Sequence, residues 1–200
     1  MPELKIILEA LLLAADEPLT LDRLLAVFPE AEQPDRDALR AALAELTTDY
    51  AGRGLELVEV ASGFRLQVPK AFAPWVSRLW EERAAQYSRA LLETLALIAY
   101  RQPITRGEIE AVRGVSVSSS IMKTLQERGW IKVIGHREVP GRPALYATTR
   151  AFLDYFNLKS LSELPTLMAP RDLEVIDADL TSRANAPPDH SLPQTELFDG

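Results

Sequence analysis

Along the first 68 positions, apolar residues recur first at helical and then at strand spacing. Leu4, Ile7, Leu8, Leu11 and Ala15 fall on one helical face, since residues three and four apart are neighbours on a helix. Asp16-Glu17-Pro18-Leu19 interrupts that run, because the residue before a proline is pushed out of helical geometry. Thr20 can cap a short second helix reaching Phe28; Pro29 to Pro34 form a loop, and Asp35 opens a third helix. Leu39, Leu43, Leu46 and Tyr50 share a face of that helix, which ends at Gly52 and Gly54. Leu55 to Val60 and Phe64 to Val68 then alternate on either side of Ala61-Ser62-Gly63, the pattern of a β-hairpin.

The same order starts again 85 positions later. Leu91, Leu92, Leu95, Ile98 and Ala99 make a helical stripe that stops at Gln102-Pro103-Ile104, so that Pro103 matches Pro18 and Thr105 matches Thr20. Thr105-Arg106-Gly107-Glu108 is a capping-box pattern, in which the Glu carboxylate can reach back to the Thr105 amide. A third helix is expected from about Val117 to Arg128, stopped by Gly129. Ile131 to Ile134 and Ala144 to Thr148 form the second hairpin, with His136 to Pro143 as its longer wing. Three helices and a two-stranded wing, twice over, predict a mainly α fold with small β-hairpins (α+β), in tandem winged helix-turn-helix domains. A period this long indicates domain duplication and not a solenoid. Between the units, residues 69–86 carry Pro69, Phe72, Pro74, Trp75, Leu79 and Trp80, too aromatic for a free linker. They are expected to form an apolar bridging helix against the first unit or another subunit.

Charge divides the chain where the pattern does. Residues 1–86 carry 9 Lys/Arg against 15 Asp/Glu, residues 87–160 carry 11 against 6, and residues 161–200 carry 2 against 8. The first unit's third helix holds Asp35, Asp37, Glu45 and Asp49 against Arg36 and Arg40, which would repel phosphate. The second unit's third helix offers Ser118, Ser119, Ser120, Lys123, Thr124 and Arg128, but it also carries Glu127. Its reading as a solvated polar face outweighs base-specific recognition.

Little else suggests chemistry. The chain has no cysteine, which removes disulfides and thiolate metal sites. His136 and His190 are its only histidines and lie far apart in sequence, so no His-based metal site or catalytic triad is expected. Pro140-Gly141-Arg142-Pro143 is a turn and not a phosphate loop, and the acidic pairs Asp16-Glu17 and Glu81-Glu82 lack a basic or nucleophilic companion. No enzyme, cofactor or metal is expected. The longest apolar run, Ala10 to Ala15, is too short for a bilayer, and the N-terminus lacks signal-peptide features, so a cytoplasmic protein is the expectation.

The block from Ala90 to Pro165 resembles the segregation and condensation protein B family. The matching stretches are Ala90 to Ala96, Ile98 to Arg106, Ile109-Glu110 through Arg113-Gly114-Val115, Leu125 to Gly129, Val139 to Pro143, and Phe152 to Phe156 followed by Leu158. The N-terminal half fits in layout, including its Glu-Pro-Leu step, so the resemblance covers about residues 1–168. It implies a non-catalytic adaptor of the bacterial SMC–kleisin complex in chromosome condensation and segregation. Such an adaptor is a nucleoid-associated homodimer that binds the kleisin ScpA and, through it, the SMC ATPase, with DNA association indirect or weak. The expected organisation is a dimerising domain over 1–86, a kleisin-binding domain over 87–168 and an acidic disordered tail over 169–200.

Ile6, Leu12 and Leu13 lie off the core stripe of the first helix and, with Trp75 and Trp80, are the expected dimer interface. Leu97, Tyr100, Pro103 and Ile104, with Arg137 and Arg142 on the wing, are the expected partner-binding residues. In the tail, Gln194-Thr195-Glu196-Leu197-Phe198 resembles the short motif that docks on the bacterial sliding clamp, with Gln194, Leu197 and Phe198 as anchors. The alternative function is a winged-helix DNA-binding transcriptional regulator using the basic second unit.

Overall fold

The computed structural model describes residues 3–79 and 87–166. In the first half, α1 (Leu4–Ala14), α2 (Leu21–Leu25) and α3 (Arg36–Asp49) are followed by the antiparallel hairpin β1 (Glu56–Val60) and β2 (Gly63–Gln67). A short helix, α4 (Ala73–Val76), comes next. The second half runs α5 (Arg89–Arg101), β3 (Ile104–Thr105), α6 (Arg106–Arg113), α7 (Ser119–Glu127), β4 (Ile131–His136), β5 (Ala144–Thr148) and α8 (Arg150–Tyr155). The fold is α+β, and each half follows the winged-helix order.

Sequence chemistry places the helix starts. Thr20, Asp35, Ser88, Ser118 and Thr149 each accept a backbone N–H of the helix they precede, satisfying a donor that the helix itself leaves open. Thr105 makes the full capping box with Glu108. The second helix is shorter than the sequence suggests, ending at Leu25, and a single 3-10 turn at Glu30–Glu32 occupies part of the loop.

Two apolar clusters form. Leu8, Leu12, Leu19, Leu24, Leu39, Leu43, Leu46, Tyr50 and Leu57 pack in the first half. Leu91, Leu95, Ile98, Ile104, Ile109, Val117, Leu125, Trp130, Ile131 and Phe152 pack in the second. Burial of each such side chain is worth roughly 1.5–3 kcal/mol. In the first cluster Tyr50 also donates its hydroxyl to Glu9 Oε1 at 2.6 Å, joining α3 to α1. Burial, with that hydrogen bond, pushes the phenol up to about 12.

The Pro-x-Thr step does the same job in both halves. Leu19 exchanges both backbone hydrogen bonds with Phe64 at 2.9 Å, and Ile104 pairs with Tyr146 on the central strand of the sheet β3-β5-β4. The apolar residue of each step is buried, and the Thr behind it caps the next helix. This third partner to each hairpin is not visible in the alternation, because it spans only one or two residues. The second hairpin also carries an irregularity between Val133 and Gly135, where Ile134 is left without a partner on β5.

The expected bridging helix over 69–86 is corrected: Lys70–Phe72 form a 3-10 turn and α4 spans four residues, Pro74 lying in its first turn. The part of that expectation over 80–86, including Trp80, lies outside the described residues. A helix that the periodicity did not announce, α8, closes the second half. Its C-terminus meets the first hairpin, where the Ala61 N–H donates to Leu158 O at 3.0 Å and both Ser62 donors reach the Asp154 carboxylate.

Gly63 makes the Leu19 pairing possible. Its φ is +131, and a Cβ there would sit 2.3 Å from the Leu19 carbonyl oxygen. Gly63→Ala is expected to cost about 2–4 kcal/mol in denaturant titration. Gly107→Ala, in α6 with open space around it, should instead gain about 0.5–1 kcal/mol.

Candidate protein-contact surfaces

The apolar surface of the first half begins on α1. Leu8 and Leu12 point into the core, whereas Ile6 and Leu13 are 54% and 69% exposed. Ile6, exposed Ala10 and Leu13 fall at spacings of four and three, so they line one outward stripe. Leu12 is therefore removed from the expected interface set: it is 3% exposed and belongs to the core. A second apolar surface follows β2, where Val68, Phe72, Trp75 and Leu79 are all exposed, Trp75 at 65%. The Phe72 and Trp75 rings are tilted against each other by 54° with centroids 6.4 Å apart, and Phe72 also rims a cavity shared with Tyr50, Leu55 and Leu57.

Several charged residues of α3 form ion pairs within the first half. Lys5 reaches Asp49 at 2.9 Å and Glu45 at 3.5 Å, Arg36 pairs with Asp22, and Arg40 lies near Asp37. The hydrogen bond to Asp49 holds the Lys5 ammonium above its usual range. A helix arranged this way offers no cationic row to a phosphate backbone.

In the second half, Pro103 is exposed at the α5–β3 corner, with Leu97 and Tyr100 half-buried on α5. Ile104 is corrected from surface to core: it sits on β3 at 4% exposure. The wing cations are paired within the chain. Arg137 pairs with Glu108 at 2.8 Å, and Arg142 with Glu138 at 3.2 Å. Arg137 thus ties the wing to the start of α6, whereas Arg142, 72% exposed, pairs with Glu138 on the surface of the wing.

Glu108 is the hub of that corner. Its Oε2 accepts from the Thr105 N–H at 2.8 Å and the Thr105 hydroxyl at 2.9 Å, while Oε1 meets Arg137. The turn between α6 and α7 is fixed similarly by Glu110, which accepts from the Val117 N–H at 2.9 Å and from Arg106 at 3.0 Å. Arg106 continues to the Val117 carbonyl and to Ser119. Hydrogen bonds from the Thr105 backbone and hydroxyl hold Glu108 below the usual carboxylate range; the Val117 N–H and then Arg106 do so for Glu110.

The polar residues of α7 are largely committed. Ser118 caps the helix and contacts Ser120, Ser119 accepts from Arg106, and Lys123 pairs with Glu127. Arg128 lies over the Tyr87 and Trp130 rings at 5.0 and 5.8 Å. Among the described residues, no group of three or more His, Cys, Asp or Glu could hold a metal ion. No described helix is long and apolar enough to cross a membrane. His190, Trp80 and the Gln194, Leu197 and Phe198 motif lie outside the described residues.

Sequence reasoning missed the Asp154–Lys159 segment as a contact site. Thr149 at a capping position and the apolar spacing of Phe152, Leu153 and Phe156 were the available signals for α8. Nothing local tells that Asp154 faces a hairpin 92 positions earlier.

Two halves that each run in the winged-helix order, the first of them exposing apolar side chains, define a protein of the α+β class. Residues 6–167 match the family model described as segregation and condensation complex subunit ScpB. The chain belongs to that family. It is 59% identical to the segregation and condensation protein B homolog of Coxiella burnetii over 87% of this chain and 83% of that protein. It is 43% identical to segregation and condensation protein B of Bacillus subtilis, over 88% and 89%. Among solved structures, ScpB from Mycobacterium tuberculosis aligns over 78% of this chain and 96% of that one, with 40% identity and a TM-score of 0.36. A dimer of an ScpB N-terminal domain complexed with ScpA peptide aligns over 38% and 93%, with 35% identity and a TM-score of 0.34.

Glu108 and Glu110 ionise more readily in the folded chain than at their usual value of 4.5. Their stabilisation is therefore present above about pH 4.5 and is lost as pH falls through the lowered folded values. Thermal melts between pH 7 and pH 3 should show the wild type losing Tm on acidification. The double variant Glu108→Gln, Glu110→Gln should start lower at pH 7 and lose less.

Proposed function

We propose that this protein is a non-catalytic adaptor that works as a homodimer and binds the kleisin ScpA, and through it the SMC ATPase, in chromosome condensation and segregation. The observation that carries the reading is the exposed apolar surface of the first half, centred on Ile6 and Leu13 of α1. Apolar side chains this exposed on a small unit call for a protein partner. Family membership supplies the setting, a segregation and condensation complex.

In this reading residues 1–86 dimerise through Ile6 and Leu13 on α1 and Trp75 on the second apolar surface, as a two-fold interface would use them. Residues 87–168 receive an amphipathic kleisin segment at the corner made by Leu97, Tyr100 and Pro103. Arg137 ties the wing to α6, and Arg142 pairs with Glu138 on the wing's surface. The internal pairing of α3 and α7 charges favours a protein partner over DNA as the principal ligand. The protein then acts in the cytoplasm, at the nucleoid.

Light scattering should give twice the 22.2 kDa chain mass for the wild type and a single chain mass for Ile6→Glu, Leu13→Glu, with unchanged circular dichroism. Leu12→Ala should instead destabilise the fold by about 2–5 kcal/mol without separating the subunits of the folded fraction. A wild-type monomer, or a dimer untouched by the double substitution, overturns this dimer face. Co-purification with ScpA followed by mass measurement tests the partner: Tyr100→Ala in the full chain should lower ScpA retention while leaving the dimer intact. Retention equal to wild type moves the kleisin site elsewhere.

A further inference from the structure

Among the described residues, the two halves meet at a small polar joint. Their apolar clusters are separate, and no helix or strand of one half makes extensive contact with one of the other. The joint is the tip of the first hairpin set against the C-terminal end of α8. On α8, Asn157 takes a left-handed φ of 57, and the Leu158 N–H turns back to Leu153 O at 2.8 Å. That is a Schellman-type helix stop, which leaves the Leu158 carbonyl and the Asn157 side chain facing outward.

Each group so presented meets a donor from the hairpin. The Ala61 N–H donates to Leu158 O at 3.0 Å. Ser62 donates its N–H to Asp154 Oδ1 at 2.9 Å and its hydroxyl to Oδ2 at 2.6 Å. Arg65 donates to the last-turn carbonyl of Asp154 at 2.9 Å and to Asn157 Oδ1 at 2.6 Å, placing a cation where the helix dipole is negative. Lys159 closes the rim on Glu59 at 2.6 Å, which raises the Lys159 ammonium above its usual range. Asp154 and Arg65 carry the joint, since charge-assisted hydrogen bonds are about twice as strong as neutral ones.

A joint with no shared apolar core is separable, because breaking it exposes polar groups that water can satisfy. We infer that the Ser62/Arg65–Asp154/Asn157 contact is a latch that holds the two halves in one orientation in the free chain and that opens without unfolding either half. The first wing's tip is then hidden in the latched form and presented in the open form. The opening ligand has a definite chemistry: a peptide segment with a carboxylate and free backbone carbonyls, able to replace Asp154 and Leu158 against Ser62, Arg65 and Ala61. The inference stands apart from the dimer and kleisin assignments.

The chain has no cysteine, so a pair introduced at Asp37 on α3 and Gln126 on α7, both exposed, can be spin-labelled cleanly. Labelled chain is diluted into excess unlabelled chain, so that each measured distance lies within one molecule. One narrow distance distribution is expected for the otherwise wild-type chain, broadening or splitting in Asp154→Ala and in Arg65→Gln, with circular dichroism unchanged. Ser62→Ala, which removes a single hydroxyl, should broaden it less. Were Asp154→Ala to unfold the second half, Arg65→Gln on the opposite side would decide alone. A distribution already broad without these substitutions, or one that stays narrow in Arg65→Gln, overturns the latch.

Discussion

Both halves depend on one backbone exchange, between the segment that leaves the first helix and the hairpin that closes the unit. Leu19 with Phe64, and Ile104 with Tyr146, turn a two-stranded wing into a three-segment sheet. The exchange buries the apolar residue of the Pro-x-Thr step and fixes where the following Thr starts the second helix. Helix entry, wing position and core closure therefore follow from the same contact. In the first half it also demands a residue without a side chain at position 63, where any Cβ would collide with Leu19.

On this shared frame the two surfaces have diverged. In the second half, acidic residues at α6 serve the internal frame: Glu108 gathers Thr105 and Arg137, and Glu110 gathers Val117 and Arg106. In the first half, Lys5 ties α1 to α3, and the outer face of α1 is left to Ile6, Ala10 and Leu13. Net charge by block is thus a poor guide to binding here, because most of the cations that set it on the helix-turn-helix face already have partners.

Much of the architecture was legible because it rests on local chemistry. Thr20, Asp35, Thr105 and Ser118 announce their helices, and hairpin alternation shows in Glu56–Val60 and Gly63–Gln67. What was misread has physical causes. Helix α1 is apolar almost all round, so periodicity could not separate Leu12, which is core, from Leu13, which is surface. Ile104 forms a two-residue strand, too short to alternate, and read as surface for that reason. Arg137 finds Glu108 across 29 positions, and Ser62 finds Asp154 across 92. Such pairings are set by tertiary folding and leave no local signature.

The irregularity at Ile134 has a consequence for behaviour in a crowded setting. Strand β4 is an outer strand of its sheet, and Val133 and Ile134 are 42% and 50% exposed. A flat strand with that composition is a template on which further chains could zip into an extended sheet. The extra residue breaks the hydrogen-bond repeat halfway along and bends the strand, so an incoming strand cannot stay in register across it. The wing can thus keep an oily outer edge without offering it as a continuous template for another strand.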